Sequence, residues 1–466
     1  MMCYKIREHL NLPLPNPPQK GEGSLVIEIL QKTLILILLS SLVFFSFLTA
    51  RNIFAEMVQS VSEPLTVQDC YRLALKQSEK VAIQQQMIKE AEARFQQSLG
   101  GILPHTTFES SNKRQNGSNS SNFSLSEIPE NKFIFSQPLF SGFKDFAGMG
   151  ASRAERRQRT QETRRAQELL FTDVSDAFYL FLSYQEDIAA LETTQNALSG
   201  RIEELNKRVQ LGRSRSSEVS SAEVLLNRNE AEIELVRSQM DVSRQLLEFL
   251  TGQTIEKVRD SDDEELMKEF SLGKQDRYVN QSDQRADVLA AKEALTAAQK
   301  KITVARSGWW PSAGLDGDYY TKRVGNSSDI TWDFTFKVDV PIFDGGETFG
   351  LVREAQAQAK EAELRLQQTQ RNALLEIQNA LTRFETALKR RNALQKALTA
   401  AEKNYQLQKE DYQKSLVNNL DVLQSLQDLQ SVQRDFITAN FDAKRMYWNL
   451  QVAAGEIPVD QLSEKR

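Results

Sequence analysis

The sequence predicts a mainly α-helical chain with a transmembrane β part of four strands per chain, a part that closes only when chains combine. Three observations predict it. Proline, which breaks helices, is absent from 139–310 and 342–457; beyond residue 55 it occurs only at 64, 104, 129, 138, 311, 341 and 458. The chain also repeats itself. SQPLFSGF (136–143) lies over DVPIFDGG (339–346) at an offset of 203, pairing Pro138 with Pro341, Phe140 with Phe343 and Gly142 with Gly345. Finally, Ile330, Trp332, Phe334, Phe336, Val338 and Val340 alternate with Thr331, Asp333, Thr335, Lys337 and Asp339. That period of two marks a strand with two unlike faces.

Residues 1–55 read as a leader. KTLILILLSSLVFFSFLTARNIFA carries a lysine, an apolar run from Thr33 to Thr49, and small residues ending at Ala55, the pattern of a signal peptide. The alternative is an uncleaved anchor, because the run sits at the low limit for a membrane span. The Pro-rich stretch before it makes an unusually long n-region, which an upstream start codon would explain. No cysteine follows at a lipoprotein-like position.

The first repeat is expected at 56–252: a helix, a β-hairpin over 104–140 and a long helical hairpin over 144–252. A linker follows at 253–280. The second repeat, 281–457, has a helix, a β-hairpin over 311–341 and a helical hairpin over 345–455, before a tail at 458–466. The offset of 203 also pairs Ala177 with Ala380, Leu191 with Leu394, Val219 with Val422, Leu226 with Leu429 and Gly252 with Gly455. GGILPH and SGWWPS align at 207 instead, matching Pro104 with Pro311, so the difference of four falls inside the hairpins. An offset held this long signals an internal repeat.

The long helices carry heptads. Positions 170, 174, 177, 181, 184, 188, 191, 195, 198, 202, 205 and 209 are apolar except Gln195. In the second repeat, Ile377, Ala380, Phe384, Ala387, Leu394, Leu398, Ala401 and Tyr405 are interrupted by Arg391. A scaffold coiled coil would explain these seams and leave the strand-rich inserts unexplained.

The strands are expected at 104–113, 130–140, 311–322 and 330–341. Alternation over about 9–11 residues suits a transmembrane β-strand. Trp309, Trp310, Tyr319, Tyr320 and Trp332 near the strand ends suit an interfacial girdle. Four strands cannot close a barrel, and open edges are not tolerated in lipid. Three chains would pool twelve. A soluble sheet packed on its own helices is the rival reading, and it leads to a periplasmic coiled-coil structural or adaptor protein.

Composition argues against other classes. Net charge is −5, so no basic field points to nucleic acid. Two histidines (His9, His105) and two cysteines (Cys3, Cys70) make no Cys/His metal cluster. No phosphate-binding or hydrolase motif is present. No catalytic residue and no cofactor is therefore expected.

LTVQDCYRLALKQS, the QPLFSGF and VPIFDGG elements after strands, LGRSRSSEV and NNLDVL at helical turns, and the tandem repeat together resemble the TolC-type outer-membrane efflux proteins over about residues 64–457. The resemblance implies a homotrimer: a 12-stranded barrel in outer-membrane lipid, continued by an α-helical coiled-coil tunnel through the periplasm. It implies passive export of drugs, metals or proteins, together with a periplasmic adaptor protein and an inner-membrane pump or ABC transporter. Leu211, Gly212, Arg213, Ser415, Leu416 and Val417 are implied as adaptor-docking tips. Ser415 stands where relatives often have glycine, and Val417 where a well-known member has a gating arginine. Tyr412 and Asp421 match gate positions, and Glu218 is the repeat-equivalent of Asp421. A ring of such acids at a narrow tip would attract cations; the plainer reading is a helix cap or a solvated acid. Trp332, Phe334, Phe336 and Val338 are expected to face lipid, and Asp333, Lys337 and Asp339 the barrel lumen.

Overall fold

The computed structural model describes residues 64–115, 127–260, 275–325 and 327–457. The leader with its signal-peptide expectation, residues 261–274 of the linker and the tail from 458 lie outside them. Among the described residues no helix is long and apolar enough to cross a membrane.

Helix α1 (Val67–Gln77) opens on a capping box, in which the Thr66 hydroxyl accepts from the Asp69 amide while Asp69 accepts from the Thr66 amide. Helix α2 (Glu79–Gly100) leads to β1 (His105–Arg114) and β2 (Glu127–Ser141), and these to α3 (Lys144–Gln210) and α4 (Ser216–Thr251). After a short α5 (Gln275–Asn280), the order returns as α6 (Ala286–Arg306), β3 (Ser312–Lys322), β4 (Trp332–Asp339), α7 (Glu347–Gln413) and α8 (Asn419–Ala454). Helices α3 and α7 each have 67 residues, and α4 and α8 each have 36. All four pairs of helix ends are separated by the same 203 positions. At about 1.5 Å per residue, the longer pair each run on the order of 100 Å.

The repeat reaches into the turns. The α3–α4 turn places Gly212 at φ 69°, and the α7–α8 turn places Ser415 at φ 62°. Glycine takes that region freely, whereas a side chain there costs on the order of 1 kcal/mol. Ser415 keeps the geometry of its repeat-mate without the residue that makes it easy.

The strands form one antiparallel sheet in the order β1-β2-β3-β4. β2 begins at Glu127, three residues before the expected 130, because Ile128 and Pro129 still pair with β1. β4 is shorter than its alternating pattern: Ile330 belongs to a turn, donating to the Ser327 carbonyl, and Val340 lies past the ladder. Pro138 sits at a register shift between β2 and β3, where a missing N–H is tolerated.

The helices pack in a definite order. Among the four long ones, α4 lies on α3, α3 on α8 and α8 on α7, while α6 lies between α3 and α7. The heptad seam of α3 is accordingly buried at Leu170, Val174, Ala177, Phe181, Leu191, Leu198 and Leu205. Gln195, its polar member, donates to Glu230 of α4 at 3.2 Å. The α7 seam is buried at Ile377 and Phe384 and half-exposed from Leu394 to Tyr405, because α7 forms an edge of this set where α3 is flanked on both sides. Arg391, the interruption, donates to Asn440 at 2.7 Å. The main core joins both repeats: Tyr71, Phe171, Phe178, Tyr179, Phe384, Trp448 and Leu450 cluster there, with the Trp448 indole donating to the Tyr179 hydroxyl at 3.1 Å.

Candidate functional site

Two places bring the sequence-predicted residues together: the turns at the far ends of the helical hairpins, and the sheet. At the turns, Leu211, Gly212 and Arg213 are exposed, as are Ser415 and Leu416, while Val417 is half-buried. Leu420, which sequence reasoning passed over, is as exposed as Leu211 and Leu416. Leu211, Leu416 and Leu420 thus each hold an apolar side chain out at the turns.

Tyr412 is 7% exposed. Its ring lies under two guanidinium groups, Arg201 at 3.7 Å and Arg208 at 4.5 Å from the centroid. Glu204 ties the two arginines together, at 2.7 Å from Arg201 and 3.0 Å from Arg208. Arg201 also donates through Nε to the buried Asn419 at 2.8 Å. The clasp thus joins α3 to the end of α7 and the start of α8. Arg201, Arg208 and Asn419 were missed from the sequence. The signal was present: 201 and 208 are one heptad apart on α3, with Glu204 at helical reach of both. Beneath the clasp, Leu198, Leu205, Val219, Ala222, Leu423 and Leu426 pack into a small core.

The structure separates the predicted acids from this clasp. Asp421 is the third residue of α8 and completes a capping box: its carboxylate accepts from the Asn418 amide at 3.1 Å, while its own amide donates to the Asn418 side chain at 3.1 Å. Glu218 accepts from the Ser214 hydroxyl at 2.7 Å. Each acid sits in the first turn of its helix, where the macrodipole favours negative charge.

In the sheet, facing positions sort by chemistry. One register row runs Phe108, Phe133, Tyr319 and Trp332 across all four strands, with the Phe108 and Phe133 rings 5.1 Å apart. Phe334, Phe336 and Val338 share that face with Trp332 and are exposed like it; Phe336 is 64% accessible. The opposite face carries Asp333, Lys337 and Asp339, together with Lys132, Asp316 and Asp318. Lys132 pairs with Asp318 at 2.7 Å, Ser136 donates to Asp316 at 2.6 Å, and Lys337 pairs with Asp339 at 3.0 Å. Among the described residues, β1 and β4 each have one edge without a strand beside it.

A third cluster, also missed from the sequence, lies where the two repeats meet. Arg285, 1% exposed, pairs with Asp287 and with Glu376, each at 2.7 Å, and donates to the carbonyls of Ala373 and Ala453. Glu376 also receives Arg165 at 3.3 Å, and Arg165 pairs with the buried Glu168 at 3.1 Å. Burial alone would raise the Asp287 carboxyl, yet the hydrogen bonds and charge of Arg285 outweigh it and hold the group below the ordinary carboxylate range. At Glu168 the balance is reversed. Burial pushes its carboxyl up against the pull of Arg165 and Arg164.

Comparison with known proteins agrees with this architecture. The family model described as "Outer membrane efflux protein" matches residues 70–253 and 279–456. The chain is 24% identical to the outer membrane protein TolC of Vibrio cholerae over 234 residues, covering 48% of this chain and 52% of that protein. It is 27% identical to the solvent efflux pump outer membrane protein SrpC of Pseudomonas putida over 209 residues, covering 40% and 41%. These matches span about half the length of those relatives, or less. The crystal structure of the outer membrane protein VceC from Vibrio cholerae superposes with a TM-score of 0.71 at 20% identity, over 84% of this chain and 96% of that one. At that identity the likeness speaks for the fold.

Proposed function

From the premise that the chain belongs to the outer membrane efflux protein family, we propose that it is the outer-membrane duct of a tripartite efflux or type I secretion system. Three copies would pool their sheets into a 12-stranded barrel and their helical hairpins into a tunnel through the periplasm. A periplasmic adaptor would dock at the turns around Leu211 and Leu416, and an inner-membrane pump or ABC transporter would supply the energy. The duct itself is passive and performs no catalytic step.

The observation that carries this reading is the sheet. Among the described residues, its one apolar face, with Trp332 61% exposed, is covered by no helix, and neither edge has a strand beside it. A soluble sheet would bury that face, since aromatic burial is a main source of folding energy. Lipid on one face and a second chain at each edge satisfy both needs at once. The rows of aromatic side chains then face lipid, and Asp333, Lys337 and Asp339 face water.

The test is fractionation of cells expressing the full chain, followed by native mass spectrometry in detergent. Recovery with the outer membrane after urea extraction, as a trimer, is the expected outcome. Release into the soluble periplasmic fraction would sink the duct and favour an adaptor-like coiled-coil protein.

A further inference from the structure

The first turns of the two long helices repeat one arrangement with different residues. Phe146 and its repeat-mate Phe349 are the third residues of α3 and α7, and they are 66% and 59% exposed. One turn further on, α7 carries Arg353, whose guanidinium lies 5.7 Å from the centre of the Phe349 ring. The equivalent position on α3 is Gly150. There Lys300 of α6 takes the space, its stem passing 3.5 Å from where a Cβ would stand. Both repeats thus set a cation one turn past an exposed phenylalanine, once from the long helix itself and once from its neighbour. Arg153, two turns past Phe146, adds a third cation and lies 5.3 Å from the Phe95 ring of α2.

These residues share one side of the helical layer. On α3 the line through Phe146, Arg153 and Thr160 continues to Gln167 and Phe171, where Tyr71 of α1 packs and donates to the Gln167 carbonyl at 3.0 Å. The opposite line, through Gln158, Glu162, Arg165 and Leu169, borders a recess shared with α6 and α7. On α7 that recess takes Gln358, Glu361 and Arg365, which leaves Phe349 and Arg353 on the other side. Nearby acids are already engaged: Glu293 holds Arg157 at 2.8 Å, and Glu155 holds Lys301 at 2.7 Å. Among the described residues, Arg153, Lys300 and Arg353 have no carboxylate partner.

We propose that this side of the helix starts lies in the headgroup layer of the adjoining membrane leaflet, where Arg153, Lys300 and Arg353 bind anionic phospholipid through its phosphates. Exposed apolar side chains run from the sheet down to the phenylalanines through Leu139, Phe143, Ile342 and Phe343, with the cations next in line. At 1.5 Å per residue, Arg353 follows Phe349 by about 6 Å and Arg153 follows Phe146 by about 10 Å. A headgroup layer adds about 5–8 Å on each side of the hydrocarbon core, and the long basic side chains reach across the remainder. Apolar surface followed by cations is the profile of a bilayer boundary. An acidic protein would match the cations alone, and would leave the apolar run that joins them to the sheet in water.

The inference rests on the reading of the sheet as membrane-embedded, and adds where the bilayer ends and which lipid is held there. The full-length protein is reconstituted in vesicles of phosphatidylcholine and phosphatidylglycerol. Nitroxide labels on Phe146→Cys and Phe349→Cys report depth through their accessibility to oxygen and to a water-soluble nickel chelate; the native Cys70 is buried. Both labels are expected to favour oxygen, and a label on the exposed Thr160→Cys the chelate. Native mass spectrometry after extraction, with both lipids supplied equally, reads selectivity. Phosphatidylglycerol should be retained in preference, the preference falling about fivefold with each of Arg153→Gln, Lys300→Gln and Arg353→Gln, the worth of one basic side chain at an anionic surface. Arg371→Gln, an exposed cation five turns further along α7, should leave it unchanged. Chelate-accessible labels at 146 and 349 in a membrane-bound protein overturn the inference. So does equal retention of the two lipids, or a preference that the three substitutions leave intact; the duct reading survives each of these. A chain recovered outside the membrane overturns both.

Discussion

Arg285→Ala is expected to lower the stability of the helical body by about 3–5 kcal/mol, the cost of removing one partner from a buried ion pair. The guanidinium is 1% exposed and makes four attachments: Asp287, Glu376, and the carbonyls of Ala373 and Ala453. Alanine takes the guanidinium from two carboxylates and two carbonyls, of which Glu376 keeps Arg165, in a site that reaches α6, α7 and α8 together. Denaturant unfolding of the detergent-solubilised protein, followed by circular dichroism, reads the effect as a lower midpoint at unchanged slope. Arg285→Lys should recover only part of it, since an ammonium cannot serve carboxylates and carbonyls in the planar fork that arginine offers. A loss below about 1 kcal/mol, the range of ordinary surface changes, would show that the network carries little weight.

The same cluster gives a pH dependence with a definite sign. Because Arg285 holds Asp287 below its unfolded value, the stability this group contributes is fully present above about pH 4 and is lost as pH falls through the depressed folded value. Glu168 has the opposite sign: its raised carboxyl takes up a proton more readily in the folded state, so it favours folding on the acid side. Asp287→Asn should therefore flatten the acid limb of a stability–pH curve below about pH 4. An acid limb as steep as that of the wild type would assign the loss to other carboxylates.

What the sequence made legible follows from periodicity. Period two along β4, the heptads of α3 and proline-free stretches between proline clusters are local patterns, and they led to strands and helices at those places, β4 falling short of its pattern at both ends. The offset of 203 carried further than any propensity, because a duplicated chain repeats turns such as that at Gly212 and Ser415 as well as helices. The Arg285 network was hidden. Its members come from positions 165, 168, 285, 287 and 376, and nothing local distinguishes a buried arginine from a solvated one. Asp421 shows the reverse problem. NNLDV reads equally as a gate acid or as a cap, and only the paired hydrogen bonds with Asn418 assign the carboxylate to its own helix end.

Tyr412→Ala is expected to loosen the tip clasp and raise the single-channel conductance of the purified protein in planar bilayers. Two arginines lie over the ring, and cation–π contacts that exclude water contribute about 2 kcal/mol. Removing a buried aromatic costs on the order of 3–5 kcal/mol in addition to such contacts. Arg201 has a second reason to depend on the ring, because its Nη2 is buried without an acceptor among the described residues. Without Tyr412, α3 loses its hold on the α7–α8 turn, and Arg201 gains by swinging toward water. Tyr412→Phe separates this mechanism from a hydrogen-bond lock. It keeps the ring face that both guanidiniums use, so its conductance should stay near that of the wild type. Tyr412→Ala should accordingly lower the unfolding midpoint, whereas Tyr412→Phe, which keeps the ring, should leave it near that of the wild type. Unchanged conductance in Tyr412→Ala would remove the clasp from gating. Equal opening in Tyr412→Phe would transfer the role from the ring to its hydroxyl, which makes no hydrogen bond among the described residues of the single chain and would then have to find its partner in a neighbouring subunit.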